Sequence, residues 1–497
     1  MLTVDKVKKD YNSFKAISKR LILKGKYNDA EDFISAASRI AYNFNFIYAD
    51  KELDLMLNQI SDVYIEGKCF GKIDDRYVFF DSFGYDNRGL TQQYIRALIS
   101  WDVEFLYILE YENTQCETIL NELKKHKKAK IHILSDTKIH EDKAQEIYDL
   151  IADFKADKAF LHLAPWSSTA IISWAALSSV TRYLIDLTDH AFWLGSECFD
   201  YYISFRDYGS YISERFRGIT KDKQILMPFY PIVEGGSEFQ GFEPDISNKK
   251  VIFTGGSYYK MYGKGDVFLN ILKRICLDNY DTVILIAGSG DARILENFIK
   301  KNRLDEQVFL IGSRKDIVGV FKNIDIYLNT YPVGGGLMSQ LAVSQHKPLI
   351  GYCTNDMPMS FPESLFRNTD DIKFTYNDLE LFHEEMNKLL SSDSHLKKTV
   401  IKYGELNISP SDFSSELQYK IKNTVTITDS VDFPEFCNEN VVSLYLCIEN
   451  EYLKSYERTK LASLRFKYAK YDFIGFVRTS LSFWMTTLMD RLNRGGK

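Results

Sequence analysis

The chain of 497 residues carries 45% hydrophobic and 26% charged residues, which excludes a disordered or fibrous polymer and supplies apolar surface for more than one core. At roughly 100–200 residues per domain, the length predicts two to four domains. The formal charge of −6 gives no footprint for a nucleic-acid partner.

Seven cysteines are present, Cys69, Cys116, Cys198, Cys276, Cys353, Cys437 and Cys447. They form no CxxC pair, and their spacing fits neither a zinc site nor a disulfide framework, which points to a reducing cytoplasm. Residues 1–15 lack the apolar run of a signal peptide. No stretch reaches the roughly 18 uncharged apolar residues that a bilayer span requires. A cytoplasmic location is the expectation.

Residues 1–66 show helical periodicity and no strand. Leu21, Ile22, Tyr27, Ala30, Phe33, Ile34 and Ala37 recur at three- and four-residue spacing, and a second helix is expected over 50–60. This reads as a helical hairpin leading into the first domain. From residue 76 short apolar runs alternate with amphipathic stretches, predicting strands at 77–81, 103–109, 130–134, 159–163, 182–187 and 201–205. Such alternation implies a parallel sheet covered on both faces, with ligands beyond the carboxyl ends of its strands. Residues 231–249, rich in Gly, Pro and charge, read as an interdomain linker. A second alternation follows, with strands at 251–254, 282–287, 308–311, 324–328 and 348–352. Its helices are expected at 267–277, 292–301, 316–322 and 337–345. The fold class is therefore α/β, two Rossmann-like doubly wound parallel sheets facing a cleft, with a helical segment before them and a helical tail after.

Four stretches carry candidate chemistry. The first strand runs into a polar loop holding Asp86, Arg88 and Gly89 before a helix begins at Thr91. Free N–H groups at such a helix start attract anions or hydroxyls, although an ordinary strand–helix turn has the same pattern. The strand over 182–187 leads straight into Asp189 and His190, where an α/β sheet presents polar side chains to a ligand. This pair supplies a base or orients a hydroxyl; alternatively Asp189 caps the next helix. His162 ends the preceding strand in the same way and reads equally as a structural histidine. The strand at 251–254 ends in Gly255, Gly256 and Ser257, small enough for a phosphate to approach the backbone, with Lys260 and Lys264 following. Its spacing is not that of a P-loop. Finally, Gly334, Gly335, Gly336 and Leu337 open an amphipathic helix, placing unpaired N–H groups and a positive dipole end in the cleft.

At these stretches the chain resembles the GT-B glycosyltransferases. Phe253-Thr254-Gly255-Gly256 with Lys264-Gly265 is similar to that fold's donor-domain opening. Leu310-Ile311-Gly312-Ser313-Arg314 is similar to its base-contacting loop, and the segment from Gly336 to Pro348 to its sugar- and phosphate-binding helix. Asp189-His190-Ala191-Phe192-Trp193-Leu194-Gly195 resembles a motif of bacterial polysaccharide glycosyltransferases. The resemblance implies an N-terminal helical segment (1–66), an acceptor domain (67–235), a nucleotide-sugar donor domain (236–425) and a basic amphipathic helical tail (426–497). It implies donor contacts from Gly255, Gly256, Ser257, Lys260, Lys264, Gly312, Ser313, Arg314, Gly334, Gly335, Gly336 and Leu337. Asp86, Arg88 and Gly89 fall on the acceptor side. It also implies a metal-independent, hexosyltransferase-like enzyme with no cofactor beyond a donor such as a UDP-sugar. The acceptor is a glycan or lipid-linked glycan of bacterial surface polysaccharide biosynthesis. Many retaining members carry two glutamates around the donor helix; Val333 and Leu341 stand at those positions, which favours inversion with Asp189 or His190 as base. A protein glycosyltransferase, a nucleotide-sugar 2-epimerase and an inactive assembly partner of the same fold stay open.

From Tyr452 the balance turns basic. Phe473, Ile474, Phe476, Val477, Leu481, Phe483, Trp484, Met485, Leu488, Met489 and Leu492 give the tail an apolar helix face. This face either packs back on the body or docks on anionic lipid, which makes the enzyme peripheral on the inner membrane face; oligomerisation is a third use.

Overall fold

The computed structural model describes residues 1–233, 237–369, 371–429, 433 and 435–495, with the side chains of 465 and 489–495 outside the description. The chain opens on α1 (Val4–Ile22), α2 (Tyr27–Phe44) and α3 (Lys51–Tyr64). The expected hairpin is thus three helices. The apolar spacing from Leu21 to Ala37 is interrupted at residues 23–26, where Gly25 takes φ +66° and turns the chain. Asp50 starts α3 by accepting from the N–H groups of Glu52 at 2.9 Å and Leu53 at 3.3 Å.

The first sheet is built from β1 (Arg76–Asp81), β2 (Glu104–Leu109), β3 (Ala129–Ile133), β4 (Lys158–His162), β5 (Thr181–Ile185), β6 (Tyr201–Ser204) and β7 (Gln224–Leu226). Its helices are α4 (Thr91–Ser100), α5 (Glu117–Lys125), α6 (His140–Phe154), α7 (Ser168–Ala176) and α8 (Asp207–Arg217). The spatial order is β3-β2-β1-β4-β5-β6-β7, every pair parallel. In β1 and β2 all residues but the first are buried, as continuous apolar runs in a parallel sheet require.

The second sheet has the order β10-β9-β8-β11-β12-β13 and is also parallel. Its strands are β8 (Lys250–Ser257), β9 (Thr282–Ser289), β10 (Val308–Gly312), β11 (Ile326–Leu328), β12 (Leu349–Tyr352) and β13 (Thr375–Tyr376). They alternate with α9 (Val267–Asp278), α10 (Arg293–Asn302), α11 (Ile317–Lys322) and α12 (Gly336–Ser344). After β13 come α13 (Leu379–Ser391), α14 (Asp393–Thr399) and α15 (Pro410–Asn423), then α16 (Asn438–Ile448), α17 (Tyr456–Tyr471) and α18 (Phe473–Gly495). The alternation read from the sequence is present in both halves, with shifted ends. The strands β7 and β13 were not expected, because three and two residues are too few to show a period.

Three features tie these parts together. Helix α15 crosses back to the first sheet, where Phe413 packs edge-on against Tyr94 at 5.3 Å and Trp101 Nε1 donates to the Ser414 carbonyl at 3.1 Å. The linker expected over 231–249 carries no helix or strand among its described residues. Just before it, the carbonyls of Phe229 and Tyr230 accept from Gln340 at 3.0 Å and Gln93 at 2.7 Å, one glutamine from each half. At the other end of the molecule, Phe14 of α1 meets Tyr468 of α17 edge-on at 5.3 Å, so the chain's two ends share one core.

The N-terminal helices are fastened to the first sheet by Asp54, whose carboxylate accepts from Gly195 N–H and Ser196 Oγ, both at 2.8 Å. Burial pushes this carboxyl up to about 6, against the pull of those donors. A folded-state value above the unfolded one means that the folded protein binds the extra proton between pH 4 and 6. Stability contributed by Asp54 therefore falls as pH rises through that window. Asp54→Asn should keep the Gly195 contact and remove this slope. Denaturant unfolding from about pH 4 to 7 should show wild type losing about 3 kcal/mol relative to the variant; a pH-independent difference would count against this role.

Candidate functional site

The carboxyl ends of the two sheets enclose a cleft of about 670 Å³. Gly256 and Ser257 (β8), Gly288 and Ser289 (β9), Ser313 and Arg314 after β10, and Leu337 and Met338 at the start of α12 form one wall. Asp86, Arg88 and Thr118 of the first half form the other. The strand ends β8 and β9 are drawn close by register, Gly256 opposite Gly288. A Cβ on Gly288 would sit 2.0 Å from the Gly256 carbonyl oxygen, so this approach excludes any side chain there.

Of the donor residues expected from the sequence, Gly256, Ser257, Ser313, Arg314 and Leu337 line the cleft, whereas Gly255, Lys260, Lys264, Gly312, Gly334, Gly335 and Gly336 are not among its lining residues. Gly334 N–H donates to Ser360 Oγ at 3.0 Å and Gly335 N–H to Asn329 Oδ1 at 2.9 Å. Two of the three glycine amides expected to be open are thus satisfied within the protein. The next three N–H groups, of Gly336, Leu337 and Met338, meet no acceptor among the described residues, and they carry the positive end of α12. The Lys264 ammonium is paired with Asp356. Lys260 is half-buried, its stem against Gly256 and its Nζ 3.5 Å from the Gly334 carbonyl, with no carboxylate partner among the described residues. Burial lowers its affinity for the proton. An ammonium in that position is stabilised by an anion. Arg314 grips Asp316 with Nε at 2.7 Å and Nη2 at 2.5 Å, beneath Phe239 and Phe242, so its guanidinium is anchored beside the turn at Gly312 (φ +65°).

On the opposite wall Asp86 accepts from the N–H groups of Thr118 at 2.8 Å and Ile119 at 2.9 Å, which starts α5. Arg88 is exposed towards the cleft. Gly89, with φ +64°, lies on the ring of His162, whose Nδ1 is 3.1 Å from Asp81 Oδ1. His162 is fully buried and outside the cleft lining.

Asp189 and His190 separate in role. Asp189 is 1% exposed and clasped by Arg206, Nη2 at 2.9 Å and Nε alongside. Burial raises its carboxyl, and the Arg206 guanidinium overcomes that effect and holds it well below the usual range. The same guanidinium donates through Nη1 to the Met359 carbonyl at 2.9 Å, across the gap to the second half. Arg217 fixes the other side of the loop, donating to the Asp189 and Ala191 carbonyls at 3.0 and 2.7 Å. Asp189 is therefore a girder. His190 keeps a half-buried ring, Nδ1 3.5 Å from Asp189 Oδ1, lining a chamber beside the cleft. Sequence reasoning missed Arg206, Arg217, Asn329 and Ser360, which belong to no motif.

No family model matches the sequence, and no curated protein matches it. Solved structures do. An O-GlcNAc transferase mutant from Thermobaculum terrenum is 11% identical, covering 89% of this chain and 82% of its own, with a TM-score of 0.50. Alr3699/HepE from Anabaena, in complex with UDP and glucose, is 9% identical over 70% of this chain and 99% of its own, with a TM-score of 0.51. The fold is GT-B. At these identities the likeness establishes the architecture, and this GT-B chain's chemistry rests on its own residues.

Removing Arg206 leaves a buried carboxylate without its partner. Arg206→Leu should lower the unfolding free energy by about 3–5 kcal/mol, and the double change Arg206→Leu with Asp189→Leu should recover most of that loss. Denaturant melts check both; equal losses in the two variants would show that the pair is not the cause.

Proposed function

We propose that the chain is a glycosyltransferase that takes a sugar from a nucleotide-sugar donor, a UDP-sugar, held in the interlobe cleft. The observation that carries this reading is the half-buried Lys260 without a carboxylate partner among the described residues, its stem on the cleft residue Gly256 and its Nζ 3.5 Å from the carbonyl of Gly334, two residues before α12. Positive charge and free N–H donors of this kind suit a diphosphate, on which charge builds as the sugar departs. Alr3699/HepE is solved with UDP-glucose as well, at 10% identity and a TM-score of 0.50, which supports a uridine nucleotide as the first donor to try.

The chemistry then divides between the halves. Amides of Gly336, Leu337 and Met338 and the Lys260 ammonium stabilise the leaving diphosphate. His190 accepts the proton of the incoming hydroxyl, with Asp189 beside Nδ1 orienting the ring. Val333 and Leu341, in place of carboxylates, support direct displacement with inversion. The Asp189–Gly195 motif supports a glycan or lipid-linked glycan acceptor in surface polysaccharide assembly.

Calorimetry with UDP and UDP-glucose and a UDP-release assay test the reading. Lys260→Met should weaken UDP binding by about 10- to 100-fold, the worth of one charge-assisted hydrogen bond. His190→Ala should lower turnover by about 10²–10⁴-fold and leave UDP affinity unchanged. Absence of nucleotide binding, or full turnover by His190→Ala, would overturn it.

A further inference from the structure

We infer that the chamber beside the cleft binds a neutral sugar ring, the end of the acceptor. Its volume is about 230 Å³. Four distant parts of the chain meet there: Tyr42 and Asn45 at the end of α2, His190 after β5, Tyr259 after β8 and Tyr445 of α16. Asn45 is fully buried. Its Nδ2 donates to the His190 carbonyl at 2.8 Å, and its carbonyl accepts from Asn438 Nδ2 at 2.9 Å. Its Oδ1 meets no donor among the described residues and is closed off from solvent. The hydroxyls of Tyr42, Tyr259 and Tyr445 likewise have no hydrogen-bond partner among the described residues.

The chamber's charge and shape narrow the ligand. Glu449 is the acid in its wall, and that carboxylate is consumed by the N–H groups of Ser455 and Tyr456 and by Ser455 Oγ. Among the described residues no lysine or arginine lines the chamber. Aromatic faces with neutral hydroxyl, imidazole and amide groups suit a ligand with C–H faces and several hydroxyls. A smaller cavity shares Ser257 and Ser289 with the cleft, and Tyr259 and Leu453 with the chamber, so it lies between the two.

This inference rests on the glycosyltransferase reading, and its test separates the two. Saturation-transfer NMR on the full chain, with and without UDP, would use the methyl β-glycosides of glucose, galactose and N-acetylglucosamine. At least one should receive saturation on its ring protons. That transfer should fall about tenfold in Tyr42→Ala and Tyr445→Ala, with UDP affinity unchanged. The milder Tyr42→Phe and Tyr445→Phe variants guard against misfolding and should show an intermediate loss. No transfer from any glycoside, or equal transfer in the alanine variants, overturns the chamber while leaving UDP binding intact. Loss of UDP binding alone overturns the donor site.

We also propose, from a separate observation, that α18 lies flat on an anionic lipid surface. Phe473, Ile474, Val477, Leu481, Trp484, Met485 and Leu488 recur at helical spacing along one side, and they are exposed, Ile474 at 72% and Trp484 at 65%. The other side is occupied: Phe476 and Thr479 pack on Tyr468 of α17. Helix α17 is in turn held by Lys467 to Asp29 and Asp32 of α2. From residue 473 onward Arg478, Arg491, Arg494 and Lys497 stand against Asp490, on a chain whose net charge is −6. That sign complements anionic headgroups. No described helix is long and apolar enough to cross a membrane, so the contact lies in the plane. The full chain should sediment with phosphatidylcholine vesicles containing about 30% phosphatidylglycerol and not with phosphatidylcholine alone. About 0.5 M NaCl, or the double change Leu481→Glu with Trp484→Glu, should release it with the unfolding transition unchanged. Failure to sediment with either vesicle overturns the proposal. So does a dimer in solution that the double variant abolishes, because a second copy then covers the face.

Discussion

Arg206 is the interaction on which the site depends. A buried guanidinium is tolerated only when its donors are used and its charge is matched. Here Asp189 takes two of its N–H groups, and the Met359 carbonyl of the opposite half takes another. One side chain therefore sets both the position of the His190 loop and its distance from the second sheet. The pairing decides the chemistry as well. A carboxylate neutralised by Arg206 has little appetite for a proton, whereas the neighbouring imidazole lines a chamber.

The second half works by a comparable division. Glycine at 256 and 288 lets two strand ends approach within backbone contact, and Asn329 and Ser360 hold the glycine turn before α12 in shape by using its first amides. The amides of Gly336, Leu337 and Met338 are left without an acceptor among the described residues. Lys264 and Arg314, which look equivalent in the sequence, are neutralised by Asp356 and Asp316 and act as local braces.

Around this two-sheet plan the chain's ends have built a shell. Helices α1, α2 and α17 share a core, Asp54 fastens the shell to the loop at Gly195, and α16 reaches the same loop from the other side through Asn438 and Asn45. The chamber exists because these additions wall it, through Tyr42 and Asn45 at the end of α2 and Tyr445 from α16, while the cleft lies at the carboxyl ends of the parallel sheets.

Much of the architecture was legible before any coordinates. Buried parallel strands must be apolar throughout and their covering helices amphipathic, so the alternation from residue 76 announced two doubly wound sheets. Strand ends rich in glycine marked the edge of the cleft, and the tail's apolar helix face was visible as excess hydrophobicity. The sequence alone determined these things because they are written in local periodicity and residue size. Tertiary structure decided which of two adjacent lysines keeps its charge unpaired, that Asp189 supports while His190 faces the chamber, and that Tyr42 and Tyr445 share a wall. Ion pairing and hydrogen-bond satisfaction join residues hundreds of positions apart, and no local pattern records such a meeting.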